Sequence, residues 1–96
     1  MTVNIKYEVM IILSKHYNEN ELKTWAFSYA KILQKLKASE ISVISRGKRD
    51  LAYTINDQTQ GNFVQINFLS IPKSIKKFLN DLKNDKNVLR FLILTK

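Results

Sequence analysis

The chain has 96 residues, with no cysteine, two glycines and one proline; 45% of them are hydrophobic, and 16 lysines and arginines against 8 acids give a formal net charge of +8. That length supports one domain with a single core, and the missing cysteines exclude thiol nucleophiles, disulfide frameworks, iron–sulfur clusters and cysteine-rich zinc sites. The chain is too apolar for disorder, lacks a run of about 18 apolar residues to span a membrane, and carries an excess of positive charge that points to a polyanionic partner.

The first strand is predicted at Asn4–Ser14, where Ile5, Tyr7, Val9, Ile11 and Leu13 form one apolar face. Met10 and Ile12 on the other face imply a strand covered on both sides in its middle, hence a central one. This start is expected to carry neither a secretory signal nor a transit peptide, because Val9–Leu13 offers only five apolar residues and Glu8 precedes them. Asn18 and Glu21 then have capping-box spacing, with Tyr17 and Leu22 at hydrophobic-staple positions. Leu22, Trp25, Ala26, Tyr29, Ile32, Leu33 and Leu36 recur at three and four, which predicts an amphipathic helix with Lys23, Lys31, Lys35 and Lys37 off its stripe.

A second strand is expected from Glu40, bent at Gly47 and resuming over Leu51–Ile55; a turn over Asn56–Gly61 follows, then a third strand over Asn62–Leu69. Pro72 suits the first position of a second helix, whose core stripe is Ile75, Phe78, Leu79 and Leu82 and whose outer face is Lys73, Lys76, Lys77 and Lys83. The last strand is Val88–Thr95. The order β-α-β-β-α-β, as one domain over residues 1–96, predicts an α+β, ferredoxin-like split βαβ sandwich: a four-stranded antiparallel sheet, strands one and three central, with two helices on one face. Function is then to be sought on the open face.

Catalytic chemistry has little to work with. His16 is the single histidine, the eight carboxylates are scattered, and neither metal-ligand spacing nor a phosphate-cradling glycine loop occurs, so no enzyme activity, cofactor, metal or small-molecule substrate is expected. A small acyl phosphatase on this fold would need an arginine in a glycine-rich turn near the chain start, and residues 16–21 hold neither. The thirteen lysines, eleven isoleucines and nine asparagines also suit an AT-rich genome, as in plastids and some bacteria, so part of the lysine excess is mutational. The eight helix lysines are read as a solvated surface. The candidate RNA-binding set is Lys6, Arg46, Lys48, Arg49, Arg90 and Lys96, which holds every arginine of the chain. Arginine makes bidentate phosphate contacts and stacks on bases. Strand three, Gly61–Ile66, shows a faint likeness to an RNA-recognition motif. The basic residue before its glycine and the Gly/Ala-flanked pair of aromatics are missing, and Tyr7 falls in the core phase.

Three blocks carry a more specific resemblance. Tyr7-Glu8-Val9-Met10-Ile11-Ile12-Leu13, then Gly47-Lys48-Arg49-Asp50-Leu51-Ala52-Tyr53-Thr54-Ile55 with Gln60-Gly61-Asn62-Phe63, and finally Asn87-Val88-Leu89-Arg90 are similar to bacterial-type ribosomal protein six of the small subunit, over nearly the whole chain. The resemblance implies the same fold, a non-catalytic role on the central domain of the small-subunit ribosomal RNA, and a heterodimer with ribosomal protein eighteen. It implies a location in ribosomes of the plastid stroma or the bacterial cytoplasm, with no membrane contact. By position, Leu51, Ala52, Tyr53, Phe63 and Gln65, beside Arg49, fall in the hairpin region facing the protein partner, and Lys6, Arg90 and the chain end near the RNA-facing edge. The chain departs from the family pattern at Asp50 (usually basic), Thr54 (usually proline), and Asn62 and Gln65 (commonly aromatic). It ends at Lys96, so contacts made by the longer tail of many members are expected to be absent. A free-standing RNA-recognition-type domain is the alternative.

Overall fold

A computed structural model describes residues 3–95; Lys96, one of the candidate RNA contacts, lies outside them. The elements are β1 (Ile5–Ser14), α1 (Glu19–Lys35), β2 (Ser39–Ile55), β3 (Gln58–Ser70), α2 (Pro72–Lys83) and β4 (Val88–Thr95). The sheet order is β2-β3-β1-β4, every pairing antiparallel, so β1 and β3 are central as the ferredoxin-like pattern requires.

The period-two pattern of β1 becomes the floor of the core. Tyr7, Val9, Ile11 and Leu13 stand opposite Phe68, Ile66, Val64 and Asn62, and all eight are buried beneath the helices. From above, α1 contributes Trp25, Tyr29 and Leu33, and α2 contributes Ile75, Phe78 and Leu82. Phe68 and Phe78 meet edge to face at 5.4 Å between centroids, a geometry aromatic quadrupoles favour.

Helix boundaries follow from capping chemistry. The Asn18 side chain accepts from the Glu21 amide at 2.8 Å while Glu21 accepts from the Asn18 amide at 3.0 Å, a complete capping box. At the other end Lys37 takes φ of 63°, and the Lys37 and Ala38 amides reach the Gln34 and Leu33 carbonyls. This is a Schellman closure built without glycine. Helix α2 begins with Pro72 at its first turn and has no side-chain cap.

The hairpin differs from expectation. Instead of a six-residue turn at 56–61, only Asn56 and Asp57 reverse the chain, with φ of 47° and 62°, and β3 already starts at Gln58. Two consecutive left-handed residues make the tight turn that suits the twist of paired strands, and Asn and Asp tolerate that region. Thr59, Gln60 and Gly61, read as turn residues, are strand. The long β2 strand is broken by three register irregularities: near Glu40, near Arg46 and Gly47, and between Asp50 and Ile55. Gly47, with φ of 88°, provides the predicted bend.

Candidate nucleic-acid interface

The sheet face without helices carries the even-numbered residues of β1 and their neighbours. Across one row, Ile12 lies between Phe63 of β3 and Arg90 of β4; across the next, Met10 lies between Gln65 and Leu92; across the third, Glu8 lies between Asn67 and Leu94. Leu92 and Leu94 are exposed, in phase with Arg90 on the β4 edge.

A polar chain crosses this face. Arg46 donates through Nε and Nη2 to Gln65 Oε1 at 3.1 and 2.5 Å, and Gln65 Nε2 donates to Glu8 Oε1 at 3.0 Å and Asn67 Oδ1 at 3.1 Å. Gln65 is buried, and this bonding satisfies both ends of its amide. A polar residue thus stands where the family commonly has an aromatic because its neighbours Arg46, Glu8 and Asn67 complement it.

Towards the hairpin end the arginines meet aromatic rings. The Arg49 guanidinium sits 5.9 Å from the Phe63 ring centroid, and that of Arg90 sits 5.2 Å from Tyr53. Arg90 also donates through Nη1 to the Tyr53 hydroxyl. This pair joins the two outer strands: β2 is the first strand of the sheet and β4 the last. The reach comes from the irregularity at 51–54, where β2 leaves the ladder between Asp50, opposite Gln60, and Ile55, opposite Gln58. Gly61, beside this irregularity, lets β3 lie close under the Ile12 side chain. A Cβ there would lie 2.5 Å from Ile12 Cγ2, 3.2 Å from the Leu13 carbonyl and 3.6 Å from Leu51 Cδ2.

The structure therefore gathers Arg49, Leu51, Tyr53, Phe63 and Arg90, with Arg46 and Gln65 one row away. RNA-facing and partner-facing residues, separate groups in the sequence reading, interleave in this cluster. Lys6 stands apart, six residues along β1 from Ile12 and so about 20 Å away, opposite Leu69. Lys48 stands opposite Asn62, on the side of the sheet that carries the helices, and is exposed, as is Ala52. Ile12, Glu8, Leu92 and Leu94 belong to the face although they were not selected as site residues. Their signal was phase: all four fall in the alternation of β1 and β4 that excludes the core positions.

Two of the other departures also have local roles. Asn62 is buried and donates to the Ser14 carbonyl at 2.9 Å and the Tyr17 carbonyl at 3.4 Å, tying β3 to the β1–α1 loop. Asp50 accepts from Gln60 Nε2 at 2.9 Å across the hairpin. Nothing in the structure explains Thr54.

The sequence matches the family described as Ribosomal protein S6 over residues 6–95. It is 65% identical to small ribosomal subunit protein bS6c of Trieres chinensis over 96 residues, covering all of both chains. The bS6c protein of Phaeodactylum tricornutum is 55% identical over 91 residues, which is 95% of this chain and 93% of that one. Among solved structures, 30S ribosomal protein S6 from Thermotoga maritima superposes with a TM-score of 0.88 at 22% identity, covering 98% of this chain and 89% of that one, and so supports the fold. A match along nearly the whole sequence, together with the ferredoxin-like sheet order, places this chain in the small-subunit ribosomal protein S6 family.

Proposed function

We propose that the chain is a non-catalytic constituent of plastid-type or bacterial-type small ribosomal subunits, binding the central domain of the small-subunit ribosomal RNA jointly with ribosomal protein eighteen. The observation that carries this reading is the pairing of Arg49 with Phe63 and of Arg90 with Tyr53 on the face free of helices. A guanidinium held against a ring has part of its side-chain entropy already lost, and it keeps donors for phosphate oxygens. Phosphate contact supplies affinity that falls with salt, while the shape of the joint protein surface supplies selectivity. In this reading Leu51, Ala52, Tyr53, Phe63 and Gln65 face the protein partner and Arg46, Arg49 and Arg90 face RNA, with Lys6, Lys48 and Lys96 as outlying cations that add to the salt-sensitive attraction.

The test is a filter-binding titration of central-domain RNA at several salt concentrations, with and without the partner protein. The chain alone is expected to bind weakly and the pair far more tightly, and Arg49→Ala or Arg90→Ala should each lower the salt slope by about 1. Equal affinity with and without the partner would overturn the joint-binding reading. The alternative, a free-standing domain stacking bases on the sheet, finds little support. Tyr7 is in the core against Phe68, and Phe63 is half-buried under Arg49.

A further inference from the structure

The outer edge of β2 is a different surface from the arginine–aromatic cluster, and its chemistry is self-complementary. From Ile41 to Ser45 the strand is uncharged, and its Val43 and Ile44 are 40% and 37% exposed. Beyond it on the helix side, α1 presents Phe27 at 63% exposure. Phe27 and Val43 share a groove of about 540 Å³ with Leu22, Ala26, Ala30 and Ser45. An uncharged edge strand beside exposed apolar side chains is a template for another strand. The segment is bounded on both sides. A register irregularity at Glu40 and another at Arg46 end the regular ladder, so five residues are available for pairing.

Those two boundary residues carry opposite charge and lie three positions on either side of Val43. In antiparallel self-pairing about a two-fold axis at Val43, each Glu40 falls opposite the other copy's Arg46, Ser42 opposite Ile44, Ile41 opposite Ser45, and Val43 opposite itself. Opposite charges at both ends favour this register, and a shift by two residues in either direction loses both Glu40–Arg46 pairs. We propose that the free chain pairs with a second copy of itself along β2, over residues 41–45, to form a continuous eight-stranded sheet with the two Phe27 grooves flanking the axis. The contact is isologous, so it closes at two copies. Five residues and one groove fall short of the roughly 800 Å² per partner typical of stable complexes, so the pairing is weak and reversible.

Sedimentation equilibrium of the purified full chain from about 10 μM to about 1 mM tests this, a range suited to such a small interface. The expected result is a weight-average mass rising from 11.2 kDa towards twice that value, with slowed amide exchange at 41–45 in the concentrated sample. Val43→Asp, at an exposed position, should hold the mass at the monomer value while the circular dichroism spectrum stays unchanged. Glu40→Arg and Arg46→Glu should each weaken association, and the double exchange should restore it. A monomer throughout the range, a double exchange that fails to restore pairing in folded protein, or association abolished by Leu92→Asp on β4 and unaffected by Val43→Asp would each overturn the proposal.

Discussion

Two regions of the molecule combine aromatic rings with charge in opposite ways. Under the helices, Asp85 is an anion enclosed by aromatic donors: Trp25 Nε1 donates to its Oδ2 at 2.9 Å, the Tyr29 hydroxyl lies 2.9 Å from the same oxygen, and Oδ1 accepts the Asn87 amide at 2.9 Å. On the open face, Arg49 and Arg90 are cations lying against the rings of Phe63 and Tyr53. In the first region the hydrogen bonds turn inward and hold α1 to the α2–β4 turn. In the second the arginines and Tyr53 are exposed, with guanidinium donors left for a partner. Aromatic rings therefore hold an anion in one region and cations in the other, and what separates the two is where the hydrogen-bond donors point.

The largest effect should come from breaking the inward cluster. Asp85→Ala removes the acceptor of Trp25 and one partner of Tyr29 and is expected to cost about 2–3 kcal/mol in denaturant unfolding, without changing RNA affinity in the folded protein. Gly61→Ala tests the place where the two faces share backbone. The added methyl meets Ile12 and the Leu13 carbonyl, and a loss of about 1–3 kcal/mol is expected. Because Leu51 packs at the same spot, the arginine–aromatic cluster should be displaced as well.

A third effect is confined to alkaline pH. Burial, then Asp85, raise the Tyr29 pKa well above its ordinary value of 10.0. Below pH 10 the tyrosine is neutral in both folded and unfolded chains and its contribution is constant. As pH rises past 10 the unfolded chain ionises first, so stability falls progressively until the folded-state value is reached. Thermal melts of the wild type should show this decline, and Tyr29→Phe should flatten it. The smallest effect on stability is expected for Arg90→Ala, within about 0.5 kcal/mol because the residue is exposed. A loss as large as that of Asp85→Ala would erase the distinction between the two regions.

Most of the fold is visible in the sequence because its signals are local and agree: alternation in β1, the capping box at Asn18, the stripes of both helices, and proline at the start of α2. The hairpin turn was misjudged for a physical reason. Gln58, Thr59, Gln60 and Gly61 have turn-like composition, but pairing to β2 and, at Gly61, to β1 overrides that preference. The arginines of the site were visible by residue type and position. That Arg90 would meet Tyr53 was not, since the contact depends on a three-residue mismatch in the β2–β3 ladder that brings Tyr53 towards the opposite edge. Gln65 was read as partner-facing, and its burial was not visible in the sequence because it depends on Arg46 and Glu8, which come from the strands on either side.

The placement of β1 at the centre of the sheet has a consequence for folding. Its partners are β3, ending at Ser70, and β4, ending at Thr95. The first of the four strands therefore waits for the fourth, and Val9 and Ile11 complete their row only when Ile93 and Phe91 arrive. Closing contacts of that sequence separation is entropically slow, so β4 docks late in folding and the full sheet waits for it. Until then β1 has an open edge beside an apolar floor, and the final eight-residue strand acts as the closure of the domain.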